Sequence, residues 1–176
     1  EAKEAGAIIS YDPNYRPFLW ESVIQAKAEL MAALPMADII KVSHGEMELL
    51  TGETDLTAGA TKLMENGAVL VVVTLGEAGA YYHTAASCGQ LSAYDVHTID
   101  TTGAGDAFWG ALLSHLASKS LEELKALSQS EWVYMMKFAN AAGSLTTTAK
   151  GAIPAMPSRE QIEHCMNQGV QKHAMI

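Results

Sequence analysis

The sequence predicts an α/β protein built on a mostly parallel sheet, and three observations carry the prediction. Residues 7–11, 38–43 and 68–74 are short, largely apolar runs without the alternation of a half-buried strand, so they read as strands covered on both faces. Stretches with apolar residues at helical spacing lie between them, several opened by serine and closed by glycine. Each run also ends in a polar or glycine-containing loop, the edge at which parallel α/β sheets bind ligands.

Taken in order, residues 1–6 read as the last turn of a helix closed by a C-cap glycine, Gly6. After the first strand, Asp12, Asn14 and Arg16 project polar groups from a loop at the ligand edge. Pro17 suits the first turn of a helix, and Leu19, Trp20, Val23, Ile24, Ala26, Leu30 and Leu34 recur at helical spacing behind it. The second strand runs into Ser43-His44-Gly45-Glu46, a capping box in which serine and glutamate satisfy each other's backbone N–H. A short helix from Glu46 to Leu50 ends at Gly52, and another spans residues 56–65. Residues 68–74 are the most hydrophobic stretch and form the central strand, with Thr74, Gly76 and Gly79 in the loop beyond it. Residues 81–84 and 91–99 flank a small-residue turn and predict an edge β-hairpin. Helices are expected over residues 104–118, over 121–127 behind Ser120, and over 131–147 behind Ser130. Lys150-Gly151-Ala152 breaks the last of these, Ser158 caps a final helix over 159–169, and the tail 170–176 carries no motif.

The chemistry concentrates in residues 97–110, where an extended segment meets two glycines, an aspartate and an apolar helix. Gly103 and Gly105 let the backbone turn tightly and approach a ligand. The first N–H groups of the helix, around Ala104, Gly105 and Asp106, have no intrahelical acceptor, and with the helix dipole they make an anion site. Asp106 places a carboxylate inside that site, where it can take the proton of a hydroxyl attacking a phosphoryl group. Its plain alternative is a first-turn acid favoured by the dipole.

Composition narrows the remaining classes. Eleven Lys and Arg against 20 Asp and Glu give a net charge of −9 without a basic block, which disfavours nucleic acid and anionic membranes as partners. Cys88 and Cys165 form neither a disulfide framework nor a metal-ligand pattern, and fit a reducing cytoplasm. A Walker loop is absent, and Phe108 stands where a dinucleotide fingerprint needs its third glycine.

Asp100-Thr-Thr-Gly-Ala-Gly-Asp-Ala-Phe108 resembles the C-terminal signature of the ribokinase-like (PfkB) carbohydrate kinases. Residues 11–20, 41–52, 73–79 and 138–142 resemble successive blocks of that family in the same order, nearest to its fructokinase branch. The resemblance implies a three-layer α/β/α, ribokinase-like fold on a Rossmann-like sheet. Family members are longer, so it also implies that residues 1–176 are the C-terminal, nucleotide-binding and catalytic-base part of one domain, with the sugar-binding and lid half outside them and this piece inactive alone. The implied reaction is ATP-dependent phosphorylation of a sugar hydroxyl, fructose to fructose 6-phosphate first, with Asp106 as base and the backbone of Gly103, Ala104, Gly105 and Asp106 as anion hole. A kinase for another sugar or a nucleoside, and a non-catalytic nucleotide-binding relative, stay open.

The same resemblance directs Asp12, Asn14 and Arg16 at the phosphate-transfer region, and Thr74, Gly76, Gly79, Asn140 and Gly151 at the nucleotide. Glu46 matches the glutamate of the family's Asn-x-x-Glu, with Ser43 in place of the Asn, which implies contact with Mg2+ through water. Asp100 and Thr102 would offer carbonyls to a monovalent cation such as K+. The implied partners are the sugar and ATP, and a homodimer is compatible with them.

Overall fold

The computed structural model describes residues 1–172. The chain divides into two compact units interleaved in sequence: residues 1–74, 81–88 and 120–125 make the first, and residues 75–80, 89–119 and 126 onward the second.

In the first unit, residues 1–6 form one helical turn. Ala7 N–H donates to Ala2 O and Gly6 N–H to Lys3 O, with Gly6 at φ +82°, the two bonds of a Schellman closure. Strands β1 (Ser10–Tyr11), β2 (Ile39–Ser43) and β3 (Leu70–Thr74) pair in parallel, Ile40 opposite both Tyr11 and Val71. β4 (Ala80–His83) and β5 (Cys88–Leu91) complete a mixed five-stranded sheet of order β1-β2-β3-β4-β5, which puts β3 at the centre as expected. β1 is shorter than expected because the Asp38 carboxylate, rather than a neighbouring strand, takes the Ile9 N–H at 2.8 Å.

The edge hairpin forms, but its second strand falls before the expected 91–99. The Thr84 hydroxyl accepts the N–H groups of Ala86 and Ser87, and Thr84 N–H donates to Ser87 O at 2.9 Å. This side-chain-stabilised turn returns the chain into the sheet at Cys88.

Helix α1 (Val23–Ala33) begins later than the apolar spacing suggested, because Ser22 caps it by accepting from Gln25 N–H and residues 17–19 form a separate 3-10 turn. The interruption shifts the apolar period, so Ala26, Leu30 and Leu34 are buried while Phe18 and Ile24 are more than 80% exposed. Helices α2 (His44–Thr51) and α3 (Leu56–Met64) follow, α2 opened by the expected Ser43–Glu46 box and closed by Gly52 in the left-handed region. α5 (Leu121–Ala126) starts behind Ser120, whose hydroxyl accepts from Glu123 N–H at 3.3 Å.

The second unit is built on α4 (Ala104–Leu116), α6 (Gln129–Thr146) and α7 (Arg159–Gln168). Ser128 rather than Ser130 caps α6, because only Ser128 has a glutamate three residues on to complete the reciprocal box. Gly143 lets α6 close on α4: a Cβ there would lie 3.2 Å from Ala104 O. Ser158 caps α7 as expected. Within the tail, Asp95 N–H donates to Val170 O and Lys172 N–H to Ala93 O, an antiparallel bridge the sequence did not signal; residues 173–176 lie outside the described residues. Among the described residues no helix is long and apolar enough to cross a membrane.

Candidate functional site

The expected site residues fall in both units. In the first unit they gather at the carboxyl ends of β1 and β2. Glu46 sits at the third position of α2, buried, with both carboxylate oxygens engaged. Its Oε2 accepts from Ser43 N–H and Ser43 Oγ, each at 2.7 Å, and its Oε1 accepts from Tyr15 N–H at 2.6 Å. The capping box therefore also clamps the 12–16 loop to the end of β2. A carboxylate has about four lone-pair sites, so one on Oε1 is left for a water molecule, which fits indirect contact with a metal.

Asp12 forms an ion pair with Lys41, Oδ2 to Nζ at 2.6 Å, with side-chain exposures of 17% and 9%. Asn14 turns the loop at φ +47°, a left-handed conformation that asparagine tolerates better than most residues. Arg16 is exposed, with Nη1 donating to Tyr15 O at 3.2 Å. Of the loop's expected phosphate contacts, only Arg16 carries positive charge; Asp12 accepts hydrogen bonds and repels phosphate oxygens. Tyr11, beside them, has its phenol pKa raised by burial first and then by the charges of Glu46 and Asp12. Thr74 ends β3 with its hydroxyl 3.4 Å from Val42 O.

In the second unit the glycine turn takes the expected form. Gly103 caps α4 at φ +78°, and a Cβ there would stand 2.5 Å from Ala152 Cβ, so the 151–153 segment closes directly over it. Ala104 N–H is engaged by Thr101 O at 3.2 Å, while among the described residues the N–H groups of Gly105 and Asp106 have no acceptor. Of the four expected donors only Ala104 N–H is thus engaged, since Gly103 N–H also has no acceptor among the described residues. Asp106 is exposed beside those donors, at the rim of a cavity of about 240 Å3 lined also by Gly110, Ser114, Phe138, Met156 and Arg159.

Asp100 holds this turn in place. Its Oδ1 accepts from Thr102 N–H at 3.0 Å and Thr102 Oγ1 at 2.7 Å, and its Oδ2 accepts from Gly151 N–H at 2.9 Å. These bonds, Gly151's first, lower its pKa to about 2. Gly76 and Gly79, at φ +60° and +93°, shape the turn after β3, and Gly79 packs so closely on Leu91 O and Ala93 N that any Cβ would overlap them. Asn140 is buried on α6, its Nδ2 donating to Leu91 O at 2.8 Å and Ser92 O at 3.3 Å. That amide is thus a latch on the same loop, which leaves its Oδ1 as the group able to face a ligand.

Sequence reasoning assigned no role to Lys41, although a lysine inside the apolar run Ile39-Ile40-Lys41-Val42 was the signal available. Among the described residues no cluster of three or more His, Cys, Asp or Glu could hold a metal ion by protein ligands alone.

Residues 1–159 match the family model described as pfkB family carbohydrate kinase. Fructokinase-1 of Zea mays is 44% identical over 167 residues, covering 92% of this chain and 49% of the maize protein. The crystal structure of a fructokinase double mutant from Vibrio cholerae, bound to fructose, ADP and potassium, is 36% identical with a TM-score of 0.81, covering 93% of this chain and 51% of that one. The fructokinase of Xylella fastidiosa with bound ATP is 30% identical with a TM-score of 0.86, covering 95% and 54%. The chain spans about half the length of the curated relatives it matches. With most of its residues inside the family match, the chain belongs to the pfkB family of carbohydrate kinases.

Proposed function

We propose that the protein containing this chain transfers the γ-phosphoryl group of ATP to a sugar hydroxyl, with fructose, phosphorylated at its 6-position, the first acceptor to test. On this reading residues 1–176 are the nucleotide-binding and catalytic-base part of the kinase, and sugar contacts come from outside them. The observation that carries the proposal is the α4 N-terminus: two N–H donors without acceptors stand beside the exposed Asp106 carboxylate, on a turn fixed by Gly103 against Ala152 and by Asp100 against Gly151. Ligands in similar structures support it, since the Vibrio cholerae enzyme holds fructose and ADP and the Xylella fastidiosa enzyme holds ATP.

Phosphoryl transfer needs positioning and charge stabilisation more than covalent chemistry. Asp106 orients the acceptor hydroxyl and takes its proton as the new P–O bond forms. The Gly105 and Asp106 N–H groups stabilise the charge on the transferred group, donors already in place. Mg2+ bound with the nucleotide would neutralise phosphate charge, and Glu46 would hold it through water from the free site on Oε1. Thr74, Gly76, Gly79, Asn140 and Gly151 are assigned to the nucleotide, Asn140 through Oδ1, and Arg16 to the phosphates. The carbonyls of Asp100 and Thr102 remain assigned to a monovalent cation such as K+.

An ATP-coupled assay of the full-length protein against a panel of sugars and nucleosides tests the proposal. Fructose turnover is expected, and Asp106→Asn should lower kcat by about 10²–10⁴ while leaving ADP affinity near wild type. Undiminished turnover in that variant removes Asp106 as base. ADP binding without phosphorylation of any acceptor overturns the kinase reading in favour of a nucleotide-binding relative.

A further inference from the structure

Beyond β5 the chain continues through Ser92 to Asp95, and the nucleotide-side groups of the second unit meet on this segment. Asn140 Nδ2 donates to Leu91 O and Ser92 O, and Gly79 packs against Leu91 O and Ala93 N without room for a Cβ. Gly76 belongs to the same turn, its carbonyl accepting from Gly79 N–H at 3.1 Å. In a close-packed interior any shift of the segment is therefore passed directly to Asn140 and to the turn.

Two sets of bonds hold the segment. Helix α6 supplies one, through Asn140 and through the Ser144 hydroxyl, which accepts from Tyr94 N–H at 3.1 Å. The tail behind α7 supplies the other. Lys172 N–H donates to Ala93 O at 2.8 Å and Asp95 N–H to Val170 O at 2.7 Å, and among the described residues the main-chain hydrogen bonds of Ala93 and Asp95 go only there. Gln171 Nε2 donates to Ser92 O at 3.4 Å, and Lys172 Nζ lies 3.4 Å from Glu77 Oε2, inside the Gly76–Ala78 turn itself.

The core is already complete at α7, where Ile162 is buried in one cluster with Tyr94 and Phe138. Gly169 then lets the chain leave the helix against the Tyr94 ring, since a Cβ there would lie 2.5 Å from Cys165 O and 2.9 Å from Tyr94 Cδ1. Val170 is exposed, and residues 170–172 bury no large apolar side chain, so what they add is their hold on the segment and the turn.

We propose that residues 170–172 are positioning residues for the nucleotide: they clamp residues 91–95 and the Gly76–Ala78 turn, so that Gly76, Gly79 and Asn140 are in place before ATP arrives. Affinity rises because less ordering is left to the binding step. The role rests on the assignment of those three groups to the nucleotide. The main-chain bonds do most of the holding, because an ion pair as exposed as Lys172 with Glu77 contributes little.

The test compares the full-length protein with versions ending at Lys172 and at Gly169, and with three substitutions. Lys172→Pro removes the N–H donated to Ala93 together with the ion pair, Lys172→Met removes the ion pair alone, and Lys172→Arg keeps both. Calorimetric ADP binding, kcat, the KM for ATP and for sugar, and thermal unfolding are measured for each. The version ending at Lys172 and Lys172→Arg should match wild type. Ending at Gly169 should raise the ADP Kd and ATP KM about tenfold, the scale of one or two net hydrogen bonds, while kcat and sugar KM at saturating ATP stay within about twofold. Lys172→Pro should raise the same two constants by a smaller factor, and Lys172→Met by no more than about threefold.

A lower Tm with ADP Kd and ATP KM unchanged leaves a merely structural tail and overturns the proposal. So does a loss that falls equally on sugar KM and kcat, or one already complete in the version ending at Lys172. Should the version ending at Gly169 fail to fold, Lys172→Pro against Lys172→Met decides: equal ADP affinities overturn the clamp, and weaker binding by Lys172→Pro supports it. A wild-type protein that binds no ADP fails the nucleotide reading and the clamp with it, whereas wild-type binding with undiminished affinity in the tail variants fails the clamp alone.

Discussion

Glu46 and Asp106 are both acidic residues in the first turn of a helix that follows a sheet-edge loop, and their surroundings differ in a way that separates structure from chemistry. Glu46 is buried and accepts three hydrogen bonds, so all but one of its lone-pair sites go to closing α2 and pinning the 12–16 loop. Asp106 is exposed, and its own N–H and that of Gly105 donate to no acceptor among the described residues. A cap followed by an acid three residues on signals the first arrangement; a glycine pair in place of the cap signals the second. Capping satisfies a helix N-terminus, and leaving it uncapped keeps it available to an anion.

The largest expected effects should divide along this line. Asp106→Asn is expected to reduce turnover by the factor given above and to change unfolding free energy by less than about 1 kcal/mol, the usual worth of a first-turn acid. Glu46→Ala should do the reverse in stability, costing about 1–3 kcal/mol for stranded N–H donors and loosening the 12–16 loop. Denaturant unfolding of both variants beside steady-state kinetics checks the division, and a destabilised Asp106→Asn would erase it.

Gly103→Ala probes the second corner's backbone. The left-handed φ of +78° costs a non-glycine residue about 1–2 kcal/mol, and the new Cβ also meets Ala152. Unfolding should show at least that loss, whereas the same change at Gly45, inside α2 with open space around it, should be neutral or stabilising by up to about 1 kcal/mol. Equal losses at both positions would mean that the close approach of Ala152 does not constrain the turn.

Much of this was legible in the residues, for physical reasons that also mark where legibility ends. β2, β3, the Ser43 box and the Gly103–Asp106 turn were visible because each is encoded locally, by an apolar run, a cap with its partner, or glycines at fixed spacing. The period across Pro17 to Leu34 misled because one serine, Ser22, restarts the helix and rotates its apolar face. Asn140 as a latch, Lys41 against Asp12 and the Tyr94–Gln171 bridge depend on partners 29 to 77 positions away, and no local pattern carries them.

The smallest expected effect is the pH response of Asp100, and its sign follows from the hydrogen bonds it accepts. Its pKa of about 2 lies below the ordinary 3.8, so the ionised form is favoured in the folded turn. The stabilisation is fully present above pH 4 and is lost as pH falls from there through about 2. Because the carboxyl is solvent-screened, the loss should be local: the protection of the Gly151 and Thr102 amides, taken relative to their intrinsic exchange rates at each pH, falls over that window while the buried strand β3 stays protected. Asp100→Asn places an NH2 group where one of the two acceptors was, so it should show the lowered protection already at neutral pH and no further loss of protection on acidification. Gly151 protection relative to intrinsic exchange that is retained down to pH 2 in the wild-type chain would mean that the close packing of Ala152 on Gly103, rather than the Asp100 carboxylate, holds the turn in which Asp106 sits.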